Sequence, residues 1–353
     1  MKLHMAASEM NSYGLTEETR KRLYSVLRDR PEPSGIVQLA GDASTRTYFR
    51  VAYPTGQTVI AMLQATAGAN EEAAFIELSR FLESRGLPVP SILAYSKEES
   101  ALLLQDLGDE LLESVVENAS SDDISRLYSD AVDLLVRMRS ATETPDPGCR
   151  AYSLAFDEEK LMQEMHFFLE HFVIGFARLQ PSPAALKTLE SFFLNICQNL
   201  AREPRIFAHR DFHSRNLILH EDRLFMIDFQ DARMGPAQYD LASLLRDSYI
   251  SLPEDLIETL ISRYTDSVSD PDPIRFRYIF DIMSLQRNIK ALGTFGYQSW
   301  VRNSDRYLSA IPRTGLHVAR NLAKYAEFAT FRQVLEDHIV DPATAPHLLD
   351  DLH

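Results

Sequence analysis

Three oxygen-bearing side chains fall at a spacing that can do phosphate chemistry. Asp211 and Asn216 lie in His209-Arg210-Asp211-Phe212-His213-Ser214-Arg215-Asn216, and Asp228 follows twelve residues later in Met226-Ile227-Asp228-Phe229-Gln230. The apolar context places Asp211 and Asn216 on a loop ending in a strand at 217–219. Asp228 then closes a returning strand at 224–227, with His220-Glu221-Asp222-Arg223 as the tight turn between them. This pattern predicts that Asn216 and Asp228 face one cavity from the same end of a hairpin. Oxygen ligands in that number suit Mg²⁺, which keeps several waters and takes one or two protein ligands beside substrate phosphates. Asp211 can then accept a proton from a hydroxyl aimed at the phosphate. Taken singly, an Asp or Asn in a loop is a turn or cap residue. The joint pattern H-x-D-x-x-x-x-N, hairpin, I-D-F is what carries the chemistry. His209 is expected to orient the loop by hydrogen bonding, and His213 to stand behind the site or on its substrate side.

These groups need a scaffold, and the periodicity supplies one. Residues 1–14 read as a disordered tail. Thr16 can cap a helix, with Glu17 and Glu18 in its first turn and Leu23, Val26 and Leu27 on one face. The period then changes from 3.6 to 2, giving strands at 35–40, 46–52 and 58–64. A helix at 71–85 carries Phe75, Leu78, Phe81 and Leu82 on one face and ends at Gly86, before strands at 92–95 and 101–105. Beyond 107–109 the chain turns helical, at 122–140, 156–176 and 184–200. It breaks at 206–231 and resumes as helix from 240. The expected class is α+β in two lobes. Residues 15–106 form a small antiparallel sheet with one main helix, and residues 107–353 form a larger helical lobe.

Composition narrows the partners. The chain of 353 residues has 36 Lys and Arg against 51 Asp and Glu, a formal charge of −15. That balance, with no basic run, argues against nucleic acid. No stretch of 18 uncharged apolar residues predicts a membrane span. The first 14 residues lack the apolar core of a secretory signal, so a cytoplasmic location is expected. Cys149 and Cys197 fit neither a disulfide framework nor a metal site and are read as inert thiols. Nothing marks an obligate protein partner. A small anion can still be bound, because local cations and backbone N–H groups decide that rather than net charge.

The strings HRDFHSRN and IDFQDAR resemble the catalytic and metal-binding loops of the aminoglycoside phosphotransferase/choline kinase branch of the protein-kinase-like fold. GDASTRTYFRV at 41–51, LLLQDLGD at 102–109, GPAQYDLASLLRDSY at 235–249 and LQRNIKALGTF at 285–295 sharpen the likeness. They are similar to bacterial anomeric sugar kinases that phosphorylate N-acetylmuramate and N-acetylglucosamine in cell-wall recycling. The likeness covers roughly 15–315. It implies ATP and Mg²⁺ as cofactors and a small sugar as substrate. Asp211 would be the catalytic base and hydroxyl positioner, assisted by His209, with Asn216 and Asp228 holding the metal. Gly41, Asp42, Ala43 and Ser44 would cover the phosphates, and Gln105, Asp106 and Leu107 would form the hinge against adenine. The lobe 15–106 would then bind nucleotide.

One departure stands out. The third strand of this fold carries a Lys for the α- and β-phosphates, paired to a helix Glu. Here it reads Thr58-Val59-Ile60-Ala61-Met62-Leu63-Gln64, with the position near Met62 or Gln64. Arg46 and Arg50, sharing a face of the preceding strand with Tyr48, are the substitutes on offer. Glu72 or Glu77, the usual helix partner, is expected to be solvated or paired with Arg. For the acceptor, His213, Arg215, Asp231, Arg233, Arg287 and Asn288 are candidates. An ion pair from Arg287 to Asp240 or Asp281 is the competing expectation. The resemblance points to transfer of phosphate to the anomeric hydroxyl of N-acetylmuramate or N-acetylglucosamine. Transfer to an aminoglycoside, choline or another alcohol stays open, as does a nucleotide-binding pseudokinase acting as a regulator.

Overall fold

The computed structural model describes residues 15–39, 46–64 and 69–338. The expected tail and the loop residues Gly41, Asp42, Ala43 and Ser44 lie outside the described residues. The chain forms two compact units, residues 1–110 with 218–231 and residues 111–217 with 232–353.

The first unit begins with α1 (Glu17–Leu27), capped as expected by the Thr16 hydroxyl, which accepts the Thr19 N–H at 3.2 Å. Five strands follow: β1 (Gly35–Gln38), β2 (Arg46–Ala52), β3 (Thr58–Gln64), β4 (Ile92–Ser96) and β5 (Ala101–Gln105). They form one antiparallel sheet in the order β1-β2-β3-β5-β4. Strand alternation sorts the side chains by face. Phe49, Val51, Val59, Ala61 and Leu63 join Leu23, Val26 and Leu27 of α1 in one apolar core. Arg46, Tyr48 and Arg50 point the other way. Between β3 and β4 runs α2 (Ala69–Ser84), followed by Gly86 at φ +70°.

A hairpin of β7 (Leu217–His220) and β8 (Arg223–Met226) contributes residues 218–231 to this unit. Its turn residues Glu221 and Asp222 have φ of +49° and +57°, the paired left-handed geometry that matches strand twist. Three contacts tie the hairpin to the sheet side of the chain. The Leu219 N–H donates to Glu110 at 2.8 Å and the Met226 N–H to Pro88 at 2.8 Å, while His220 Nδ1 lies 3.1 Å from the Leu107 carbonyl. The expected division at 106/107 is therefore corrected. The first unit runs to Glu110 and then recovers the hairpin from what was read as a continuous second lobe.

The second unit is mainly helical. It contains α3 (Leu112–Val116), α4 (Ser121–Ala141), α5 (Glu158–Phe168) and α6 (Pro183–Ala201). After β6 (Arg205–Ala208) and β9 (Arg233–Pro236) come α7 (Tyr239–Leu245), α8 (Glu254–Ser267), α9 (Pro273–Trp300), α10 (Ile311–Lys324) and α11 (Ala329–His338). β9 was not expected from sequence. It pairs with β6 from Arg205↔Pro236 to Ala208↔Arg233. Four residues that include Gly and Pro show no alternation, so only the partner strand defines them. The expected helix at 156–176 also changes character: α5 gives way at Leu169–Phe176 to π-helix.

α9 lies against both segments at backbone distance. A Cβ on Gly293 would stand 2.8 Å from the Phe168 Cα, and one on Gly296 2.6 Å from the His171 carbonyl oxygen. Both glycines are needed because nothing larger fits. Burial pushes the Cys197 thiol up to about 12, which keeps it protonated as an inert core residue. Among the described residues no helix is long and apolar enough to cross a membrane. Gly296→Ala forces these backbones apart and should cost about 1–3 kcal/mol despite alanine's better helix propensity. Urea denaturation of the variant checks this, and an unchanged midpoint would contradict the close packing.

Candidate active site

The loop from His209 to Asn216 in the second unit leaves β6 and has no sheet or long helix of its own. Two buried carboxylates hold its backbone instead. Asp240, on α7, accepts the His209 N–H at 2.6 Å and the Arg210 N–H at 2.9 Å. Asp247, just past α7, accepts the Ser214 N–H at 2.9 Å and the Tyr249 N–H at 2.9 Å. These bonds hold Arg210 at φ +84°, a conformation that L-residues rarely adopt without support. Burial pushes the Asp240 carboxyl up to about 7, even though both N–H bonds favour its charged form. His317 of α10 lies behind Asp247, with Nε2 3.3 Å from that residue's carbonyl oxygen. Burial and the neighbouring Arg246 pull the imidazole down to about 4, so it is neutral near pH 7.

Within this frame Asp211 faces a ring of cations. Lys290 Nζ lies 3.4 Å from its carboxylate, Arg287 Nη2 3.6 Å and Arg210 Nε 4.0 Å. Burial alone would raise the Asp211 carboxyl, but Lys290, Arg210 and Arg287 outweigh it and hold the group far below the usual carboxylate range. An anion held so low is a weak base. It suits orientation of a hydroxyl better than early removal of its proton. Lys290 was missed in the sequence, although it follows Arg287 by three residues, the spacing that puts both on one helix face.

Asn216 donates its side-chain N–H to the Asp211 carbonyl at 2.9 Å, so its amide oxygen turns away from the loop. That leaves the oxygen as the part of the group suited to a cation. His209 is buried, with its ring edge on Phe212 at 5.7 Å. His213 Nε2 lies 3.4 Å from Asn216 Nδ2. Arg287 faces Asp211 and covers the Tyr239 ring at 5.2 Å, whereas Asp281 pairs with Arg277 and Lys324. Arg233 stands over the Phe156 ring at 5.2 Å. Two acceptor candidates are engaged elsewhere. Arg215 makes two 2.8 Å bonds to Glu113 and lies 3.6 Å from the Tyr249 ring, anchoring α3 to the loop. Asn288 is buried and donates to the Arg246 carbonyl.

The first unit holds the remaining candidates. Asp228 is exposed at the end of the hairpin with φ +63°, and Gln230 donates to its carboxylate at 2.7 Å. Phe229 beside it is buried and stacks on Phe75 of α2 at 5.2 Å, which fixes the chain where Asp228 emerges. Asp231 is exposed in this unit.

Arg46 and Arg50, the expected substitutes for the third-strand Lys, have different surroundings. Gln64 is fully buried, opposes Arg46 in the sheet register, and accepts its Nε–H at 3.0 Å. The Arg46 guanidinium also lies over Phe75, 5.6 Å from the ring centre. Arg50 is committed to acids instead: Asp106 takes its Nε–H at 2.7 Å, and Asp109 takes its Nη1–H at 2.5 Å and its Nη2–H at 2.8 Å. Glu72 corrects an expectation. It is buried and bonded to Tyr95 rather than solvated or paired with Arg. In the proposed hinge, the Gln105 N–H donates to Ser91, the Asp106 carboxylate accepts the Gly108 N–H, and the Leu107 carbonyl faces His220.

A profile of the phosphotransferase enzyme family matches residues 35–277, most of the chain and all of the loops described. The chain belongs to the phosphotransferase enzyme family. This phosphotransferase is 27% identical over 309 residues to the N-acetylmuramate/N-acetylglucosamine kinase of Pseudomonas aeruginosa, covering 86% of this chain and 88% of that one. It is 28% identical over 309 residues to the protein of the same name from Neisseria meningitidis, covering 86% and 90%. Among solved structures, ADP-bound aminoglycoside phosphotransferase APH(2'')-Ib aligns with TM-score 0.61 at 18% identity over 86% of this chain and 97% of that one. A choline/ethanolamine kinase family protein from Mesorhizobium loti aligns at 0.60 and 13% over 91% and 99%. At those identities the structures establish the fold, which is the two-lobed protein-kinase-like one expected.

Asp240→Ala strands two N–H groups and should destabilise the phosphotransferase by about 2–5 kcal/mol, with Asp240→Asn losing less. Chemical denaturation of both variants checks the order. For His317, the folded pKa of about 4 lies below the ordinary imidazole value of 6.5. Between those values the unfolded chain binds more protons, so this group's contribution falls as pH drops through the window. His317→Gln should therefore lose about 2 kcal/mol less than the parent between pH 7.5 and 5. Equal losses on acidification would remove His317 from the account.

Proposed function

We propose that this phosphotransferase is an ATP- and Mg²⁺-dependent sugar kinase. Its acceptor is the anomeric hydroxyl of N-acetylmuramate or N-acetylglucosamine, and its place is cytoplasmic, in the recycling of cell-wall sugars. The observation that carries the reading is the pre-formed loop. Asp211 is ionised, its backbone is bound by the Asn216 amide, and the loop is held by Asp240 and Asp247. The curated relatives bear that acceptor pair in their names and match over most of their length.

Asp211 orients the acceptor hydroxyl toward the γ-phosphorus and takes its proton late, as the new bond forms. The Asn216 amide oxygen and the Asp228 carboxylate are the groups offered to the metal, a neutral and a charged oxygen of the kind Mg²⁺ prefers. Bound there, Mg²⁺ would neutralise phosphate charge. Arg46 supplies the cation that the third strand lacks, and the hinge at Gln105, Asp106 and Leu107 receives the base. Lys290, Arg287 and Arg210 stand where negative charge gathers during transfer. The same three cations repel a polycationic aminoglycoside or a quaternary amine such as choline. They favour a neutral or acidic sugar. A pseudokinase would not need so ordered a loop.

Asp211→Asn should lower kcat by about two orders of magnitude or more while leaving ATP affinity nearly intact. Asp228→Ala should instead abolish Mg²⁺-dependent nucleotide binding. Calorimetric titration with ATP and labelled-phosphate assays on both sugars read these outcomes. Full turnover by the Asn variant would end the assignment of Asp211.

A further inference from the structure

Two helix faces leave the cations around Asp211 and meet again beyond them. On α9, Arg287 and Lys290 stand 3.6 Å and 3.4 Å from the Asp211 carboxylate, and Thr294 and Tyr297 follow them at helical spacing. On α5, Glu164 lies 4.0 Å from Arg210, and Phe167 and His171 follow it toward and into the π-helix. The two faces converge on three rings. Phe167 and His171 have centres 4.2 Å apart, His171 and Tyr297 5.0 Å, and Phe167 and Tyr297 5.5 Å. The seam between the helices is fixed along its length. Gln286 donates to Glu164 at 3.0 Å at one end, and Gly293 and Gly296 meet the backbone of Phe168 and His171 farther on. Tyr297 lies seven residues past Lys290, about 10 Å along the helix axis.

These rings are not core. Phe168 and Phe172 are buried, whereas Phe167, His171 and Tyr297 keep part of their surface open. Trp300 extends the same surface. A Cβ on Gly175 would stand 2.4 Å from its ring, and the residue is half exposed. The fold makes little use of His171 as a hydrogen-bonding group, since its Nδ1 has no partner among the described residues. A pyranose has a polar rim and an apolar C–H face. The rim calls for charged groups such as those at Asp211, and the C–H face calls for an aromatic surface. Rings also suit a quaternary ammonium, but Arg287 and Lys290 on the same helix face repel that cation. We infer that Phe167, His171 and Tyr297 form an aromatic platform for the C–H face of the acceptor sugar, with its reacting hydroxyl at Asp211.

The inference rests on the sugar-kinase reading, and its test separates the two. Tyr297→Ala should raise the KM for N-acetylglucosamine roughly tenfold while the KM for ATP stays within about twofold. Tyr297→Phe keeps the ring and should stay near the parent. Phe167→Leu keeps apolar volume and should raise the sugar KM as well, which gives a second reading if Tyr297→Ala does not fold. Trp300 is the single tryptophan of the chain, and its ring lies 6.2 Å from that of His171. Titrating N-acetylglucosamine into the nucleotide-free protein should therefore change tryptophan emission saturably, with the midpoint roughly tenfold higher in Tyr297→Ala. An unchanged sugar KM and midpoint in the folded variants would overturn the platform, as would an equal loss in Tyr297→Phe. A matching rise in the KM for ATP would reassign the rings to the scaffold. Choline acting on the emission at lower concentration than the sugar would give the rings to a quaternary ammonium. A parent that turns over neither amino sugar defeats the sugar-kinase reading, and if its emission also ignores both sugars the platform falls too.

Discussion

Two buried carboxylates hold the candidate site in place. The loop from His209 to Asn216 lacks the repeating hydrogen bonds of a helix or sheet, so its backbone donors need other partners. Asp240 and Asp247 supply them at both ends of the loop. Burying a carboxylate is unfavourable unless its oxygens are well bonded. Here the two groups offset each other's cost: the loop satisfies the acids, and the acids fix a backbone that would otherwise adopt many conformations. Arg210 keeps its positive φ only inside that bargain, and Asp211 inherits its position from Arg210.

The acidic surplus of the chain and its positive interior follow different rules. Most carboxylates serve the surface or neutralise a specific cation, as Glu113 does for Arg215 and Asp106 and Asp109 do for Arg50. Around Asp211 the balance reverses, and cations outnumber acids. Net charge argued against a polyanionic partner but had no power over this local sign. A small anion responds to the groups within a few ångströms, and more distant charges are screened.

Much of this was legible because it depends on local pattern. The edges of β2 and β3 came from alternation, Thr16 from capping, and the loop from its residue types and spacing. What escaped depends on distant partners. β9 is four residues whose strand character exists only beside β6. Arg215 looked free for an acceptor, yet it spends its guanidinium on Glu113, 102 residues earlier in the chain. Glu72 looked solvated or paired with Arg, but α2 turns it inward toward Tyr95. Lys290 gained its meaning when α9 was set beside the loop. Side chains that serve nearby backbone announce themselves in sequence, while those that answer a remote charge do not.

Gly293 and Gly296 carry a consequence for how far this scaffold can change. They press α9 onto the backbone of Phe168 and His171, so the two segments cannot be drawn closer, and a larger residue would drive them apart. The contact they form is fixed in spacing rather than elastic. A lineage, or an engineer, altering this region must exchange the side chains around the contact, because its backbone spacing cannot follow a larger residue at either glycine. Libraries built on this scaffold should hold both glycines constant and vary the positions around them.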